Sequence, residues 1–256
     1  MSCFFKSPLI AVLTAVFFSS VLPADAFLFG RKSNSDGNAP KGEYIIVSGG
    51  PALRKWENLR RKGDQHDKWW GNFIRSARLR MTSLIKKDPK VQITWMVYRP
   101  GYVARANEEG STRISDIESV PEMFARDYKH PIKLVWFDDG QDVINYINKH
   151  GGNNKVAGFE YFGHSNRHAM MFDYSSHVSG ASRAWLHEND LKQISRRAFA
   201  KDAYCKSWGC HSGESFCKKF KSATGTRMWG ALGKTDYSVL QYDQLPVVSG
   251  SGSWTQ

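Results

Sequence analysis

Asp202-Ala-Tyr-Cys-Lys-Ser-Trp-Gly-Cys-His-Ser-Gly-Glu-Ser-Phe-Cys217 reads as a strand that ends at Cys210 and a helix that begins near Gly213. Ala203, Tyr204, Cys205 and Trp208 form the short aromatic-rich run of a strand, and Ser212 stands as an N-cap before Phe216, Cys217 and Phe220 at helical spacing. A thiol at that junction faces the positive end of a helix, where unsatisfied N–H groups favour the nucleophilic thiolate. Upstream, Lys155-Val-Ala-Gly-Phe-Glu-Tyr-Phe162 reads as a second strand and runs into Gly163-His164-Ser165-Asn166. If the two strands are parallel neighbours, His164 and Cys210, 46 residues apart, meet at one edge of the sheet.

With these two blocks the chain resembles the caspase-like cysteine peptidases, the superfamily of caspases, legumain, gingipain and CHAT domains. Their shared pattern is an apolar strand followed by His-Gly, then a second apolar strand followed by Ala-Cys. In caspases the His precedes the Cys by roughly 50 residues. Cys210-His-Ser-Gly-Glu-Ser-Phe216 is similar to the Cys-x-Ser-Gly-Ser block of the legumain branch. The likeness spans about residues 44–240 and is carried by the two short blocks, with Ser165 where the family has Gly and Gly209 where it usually has Ala.

The resemblance implies an α/β protein of three layers, with a mostly parallel central sheet flanked by helices. It also implies a cysteine endopeptidase that cuts a protein or peptide substrate through a Cys210/His164 dyad and needs no metal or organic cofactor. Cys210 would attack the peptide carbonyl while His164 delivers a proton to the leaving amine. The oxyanion would be held by the backbone N–H of Cys210 and that of Ser165 or Asn166. A serine at 165 keeps its N–H but restricts φ. Asp173 and Asp236 are candidates for a pocket taking a basic side chain, as in gingipain-like relatives, or are plain loop carboxylates. His211 and Glu214 flank the thiol, either tuning it or facing solvent at the helix start.

Cysteine count bears on the same stretch. Cys3 falls in the leader, which leaves Cys205, Cys210 and Cys217. Either Cys205 pairs with Cys217 and leaves Cys210 free, or all three are reduced and buried. A zinc site from Cys205, Cys210, His211 and Cys217 has unfavourable spacing. A serine nucleophile elbow at Gly163-His164-Ser165 lacks its second glycine, since Arg167 stands there. The non-enzyme alternative is a caspase-like fold without activity, serving as a binding module at the cell envelope.

The N-terminus carries Lys6, an apolar stretch from Pro8 to Leu22 and an A-x-A site at Ala24-Asp-Ala26, the marks of a signal peptide over 1–26 and of export to periplasm or medium. Residues 27–42 have linker composition, 43–243 form the domain, and 244–256, Gly/Ser-rich from Ser249 onward, read as a flexible tail. The formal charge of +12 is spread along the chain without a nucleic-acid motif; such charge is more often a solvated surface, with an anionic envelope component as the alternative partner and no specific nucleic acid.

Between these landmarks, Glu43–Ser48, Val91–Tyr98, Ile132–Phe137 and Thr226–Leu232 read as strands, and Tyr237–Tyr242 as a further one. Helices are expected over Asp67–Lys87 with Asp67 as its cap, Ser115–Tyr128, Glu188–Ala200, and from a cap at Asp138 or Asp139 to Gly151-Gly152. His168–Tyr174 reads as a short strand or hairpin arm and 175–183 as a surface loop. Gly49-Gly50-Pro51 is a structural turn, since no phosphate-loop pattern follows it. Strands alternating with helices imply a parallel sheet.

Overall fold

A computed structural model describes residues 42–62, 65, 69–110, 113–174 and 184–256. The leader, nearly all of the linker, His66, Asp67 and the expected loop 175–183 lie outside the described residues. Along the chain run β1 (Glu43–Ser48), α1 (Arg54–Glu57), α2 (Asn72–Lys87), β2 (Gln92–Tyr98), α3 (Arg99–Glu109), α4 (Ile114–Glu118), α5 (Val120–Tyr128), β3 (Lys133–Phe137) and α6 (Gly140–Asn148). There follow β4 (Val156–Phe162), β5 (His164–Ser165), β6 (Ala169–Met171), β7 (Trp185–His187), β8 (Phe199–Ser207), α7 (Phe216–Thr224), β9 (Met228–Leu232), β10 (Thr235–Asp236), β11 (Val247–Val248) and β12 (Ser253–Thr255).

Seven strands form the central sheet in the order β12-β9-β8-β4-β1-β2-β3. All neighbours are parallel except β12, which runs antiparallel along β9. Alternation along the strands divides the core into two layers: Ile45 and Val47 face α6 and α7, whereas Ile46 faces α2 through α5. The protein is therefore a three-layer α/β fold, its strands apolar on both faces because both are covered. From β1 the chain winds outward through β2 and β3, then returns to the other side of β1 to lay down β4, β8 and β9. That reversal makes β1/β4 a topological switch point, and a crevice opens there at the C-terminal ends of the strands.

Local chemistry accounts for some of the boundaries. Asp139 caps α6 by accepting the backbone N–H groups of Gln141 and Asp142, while Asp142 answers toward the cap in a capping box. The turn after β1 commits both glycine amides, Gly49 N–H to Phe162 O and Gly50 N–H to Phe172 O, each at 2.8 Å. Gly50 and Gly101 pass so closely that a Cβ on Gly101 would lie 2.9 Å from the Gly50 Cα.

Three expectations are corrected, and a helix that was not read from the sequence is added. The stretch 188–200 holds a single 3-10 turn, Leu191–Gln193, before β8 begins. Leu191, Ile194 and Phe199 are buried as the spacing requires, but Asn148 of α6 bonds Ser195 N and Gln193 O and supports the short turn. Tyr237–Tyr242 is also largely 3-10, over Ser238–Tyr242, started by the Asp236 carboxylate accepting the Ser238 N–H. Residues 99–109 form α3, whose Pro100 sits in the first turn, where its missing N–H costs nothing. The supposed tail supplies β11 and β12: Trp254 packs edge-on against Trp208 at 5.4 Å and anchors the chain end that follows the Gly/Ser run 249–253.

Candidate active site

The strand-end geometry brings the two halves of the site together. β4 and β8 are parallel neighbours, so His164, two residues past β4, and Cys210, three past β8, emerge at one end of the sheet beside the switch point. Both line an open cleft of about 1990 Å³ together with Ser165, His211, Thr235 and Asp236. The backbones abut: Ser165 Oγ donates to the Cys210 carbonyl at 2.6 Å.

Gly209 and Ser165, from the two site blocks, abut and share one volume. A Cβ on Gly209 would fall 2.2 Å from Ser165 Oγ and 2.8 Å from Ser165 Cβ. The volume of an alanine methyl at 209 is occupied from the opposite strand end by the Ser165 side chain. Ser165 lies in β5, and the non-glycine residues with positive φ among those described are Lys129, His211 and Asp243, so the serine sits in an unstrained extended backbone.

The His164 loop is tied down from below. Tyr161, fully buried, directs its hydroxyl to the carbonyls of His164 (2.6 Å) and Met171 (2.9 Å). Burial pushes its phenol well above the usual range, so it stays a donor. Gly163 is required beside it, because a Cβ there would lie 2.2 Å from that hydroxyl. The His164 ring stacks on Tyr174, centroids 4.2 Å apart and planes at 21°, and meets the edge of Phe73 at 5.1 Å.

Around the thiol, sequence reasoning missed Thr235. Its backbone N–H donates to Cys210 Sγ at 3.3 Å, and its hydroxyl lies 3.4 Å from the same sulfur. The signal was available: Thr235 follows β9, the next parallel strand, at the same end of the sheet. Helix α7 begins only at Phe216, so the expected junction is longer than read. Ser212 turns its hydroxyl to Gly209 O at 3.1 Å instead of capping, and Ser215 donates to Glu188. The donor on the sulfur is thus the backbone amide of Thr235, at the start of β10.

His211 occupies the left-handed region at φ 60°, a strain of about 1–3 kcal/mol tolerated next to the thiol. Its Nδ1 pairs with Glu214 Oε1 at 2.5 Å, and this bond, assisted by Arg167, holds the Glu214 carboxyl below its ordinary range. The pair is half-exposed on the cleft rim. A second tie joins the two blocks: Phe216 N–H donates to Arg167 O at 2.8 Å. Burial opposes ionisation of Glu188, but bonds from Ser215 and His168 outweigh it and keep the carboxyl below the usual value.

Three sequence expectations about the site change. Asn166 cannot serve the oxyanion, because its N–H donates to Ala169 O across the β5–β6 turn at 3.1 Å. By ladder alternation the Ser165 N–H then points away from β6, leaving Ser165 as the candidate donor. Asp173 is buried and is not part of the cleft wall; Asp236 lines the cleft, with its carboxylate engaged by Ser238 N–H. Cys205 and Cys217 are thiols packed in the apolar core under the sheet, and desolvation raises both, Cys217 to about 12. The proposed disulfide is absent because strand and helix bury these sulfurs as small apolar groups; Cys217 fills the space over Gly230. That same split separates them from Cys210 and His211, and among the described residues no cluster of three or more His, Cys, Asp or Glu forms a metal site.

Beneath the cleft lies a charged cluster that the apolar strand reading concealed. Glu160 of β4 is wholly buried, paired with Arg80 Nε at 2.6 Å and receiving Trp208 Nε1 at 2.9 Å. Its strand neighbour Lys206 is also buried, its ammonium 3.4 Å from the centre of the Trp208 ring and 3.8 Å from that of Trp254.

Comparison with protein-family models, curated proteins and solved structures returned no match. Among the described residues, no helix is long and apolar enough to cross a membrane.

Proposed function

We propose that the chain is an exported cysteine endopeptidase of the caspase-like kind, with Cys210 as nucleophile and His164 as the proton carrier. The observation that carries this reading is the meeting of the two residues in one open cleft at the switch point of a parallel sheet. The Cys210 thiolate attacks the substrate carbonyl carbon and forms the C–S bond. The carbonyl electrons move to oxygen, held by the N–H groups of Cys210 and Ser165. On collapse the C–N bond breaks and the amine leaves with a proton from the imidazolium of His164. Water, deprotonated by the same imidazole, then attacks the acyl carbon; the C–S bond breaks, the acid leaves and the Cys210 thiolate and His164 imidazolium are restored. The leader read in 1–26 supports the exported setting.

The test is hydrolysis of a mixed peptide library by the chain from Phe27 onward under reducing conditions, with Cys210→Ala and His164→Ala alongside. Cleavage lost by at least about a hundredfold in both variants supports the reading. Cleavage that survives Cys210→Ala, or none from the parent chain, contradicts it.

A second reading, a catalytically silent module that meets an anionic envelope component, draws on the basic wall of the same cleft, where Arg61, Arg75, Arg78 and Lys86 are found. It predicts salt-sensitive binding to anionic lipid vesicles or polysaccharide, unchanged by Cys210→Ala.

A further inference from the structure

We propose that Tyr174 is a positioning residue for His164, held in turn by Arg60 and the buried Glu57. This rests on the reading of His164 as the proton carrier at Cys210.

An imidazole just beyond a strand end has two rotatable side-chain bonds, and proton transfer works only in the rotamer that turns a ring nitrogen to the sulfur. The His164 backbone is fixed by the Tyr161 hydroxyl on its carbonyl. The ring itself is fixed by aromatic neighbours: Tyr174 covers one face, in a stack of 4.2 Å and 21°, and Phe73 presents an edge at 89°. Phe73 is held by burial on the inner face of α2 and by its edge-on contact with Tyr237 at 5.2 Å.

Tyr174 stands in no strand or helix and needs a support of its own. Arg60 supplies it: its Nη2 donates to the Tyr174 hydroxyl at 2.7 Å, and its guanidinium carbon lies 5.0 Å from the ring centre. Arg60 is anchored in turn by Glu57, whose Oε1 is 3.0 Å from Arg60 Nε and whose side chain is only 2% exposed. A buried carboxylate at the end of a helical turn is costly to move, so it fixes the arginine. The fixed order is Glu57, Arg60, Tyr174, His164. None of the first three need touch substrate; the set determines where the imidazole points.

The readout is the second-order rate of iodoacetamide labelling at Cys210, with thermal melting to confirm folding. Tyr174→Leu should slow labelling about tenfold, since small misplacements of a reacting group cost up to a hundredfold. Tyr174→Phe, which keeps the stack, should stay within about twofold of the parent, and Arg60→Met should fall between the two. In a His164→Ala background the Tyr174→Leu effect should vanish, which a merely structural role would not produce. The proposal is overturned if Tyr174→Leu labels at the parent rate while His164→Ala is slow, or if its effect persists in full without His164. Should His164→Ala itself label at the parent rate, the dyad reading fails and this inference fails with it.

Discussion

Replacing Gly209 with alanine tests the packing of the two site blocks. The added methyl would stand 2.2 Å from Ser165 Oγ, 2.8 Å from Ser165 Cβ and 3.0 Å from Gly163 O. Contacts under 3 Å force a shift, and Ser165 has little freedom, being buried and bonded to the Cys210 carbonyl. Overpacking of this kind costs about 1–3 kcal/mol. Ser165→Gly alone loses one hydrogen bond, about 1 kcal/mol, and opens a small space. Combined, the two changes exchange the methyl from one strand end to the other, so most of the alanine penalty should disappear. A coupling of about 1–2 kcal/mol is expected, within the range for residues in contact, with the Gly163 carbonyl limiting full recovery. Urea denaturation of the parent, both singles and the double variant gives the cycle. Strict additivity, or a Gly209→Ala variant as stable as the parent, would refute the argument that the two positions compensate.

Further outcomes follow from the same geometry. Arg80→Ala leaves Glu160 buried without its ion partner and should cost about 3–5 kcal/mol by urea titration, whereas Arg80→Met with Glu160→Leu should cost clearly less. Trp254→Ala should lose about 2 kcal/mol, below the 3–5 of a fully buried aromatic, and lower the melting temperature by several degrees, which a mobile tail would not do. Glu188 and Glu214 are held below their unfolded values, so the unfolded state binds more protons as pH falls below about 5. Their stabilisation is therefore present above the unfolded value and lost as pH drops through the folded one. Glu188→Gln should flatten the fall in stability between about pH 5 and 3, measured by denaturation at a series of pH values.

The strands of the parallel sheet were legible because alternation of both faces leaves continuous apolar runs: Glu43–Ser48 matches β1 at both ends. His164 and Cys210 were legible for the same reason, since a polar residue just past such a run marks a strand end. What escaped reading depends on partners far along the chain. The 3-10 turn at Leu191 has the inward spacing of a helix, and the bonds that support the shorter turn come from Asn148, more than forty residues away. Trp254 has no local pattern around it; its value as an edge-strand anchor depends on Trp208. Glu160 and Lys206 sit inside apolar strands, their burial made tolerable by Arg80 and the tryptophans. The disulfide expectation came from an odd count, which says nothing of depth; the two sulfurs went into the core. Gly209 and Ser165 were visible as departures, but only the abutting strand ends reveal that one occupies the space the other leaves.

The central claim is an activated thiol at Cys210 that depends on His164. Its most direct test is iodoacetamide labelling of the reduced chain at mildly acidic pH, with each cysteine followed by mass spectrometry and His164→Ala in parallel. Cys205 and Cys217 are buried thiols with raised values and should stay unlabelled while the protein is folded. Fast modification confined to Cys210, slowed by loss of His164, is the predicted result. Labelling of Cys210 no faster than that of an unfolded control peptide, or untouched by His164→Ala, would contradict the account.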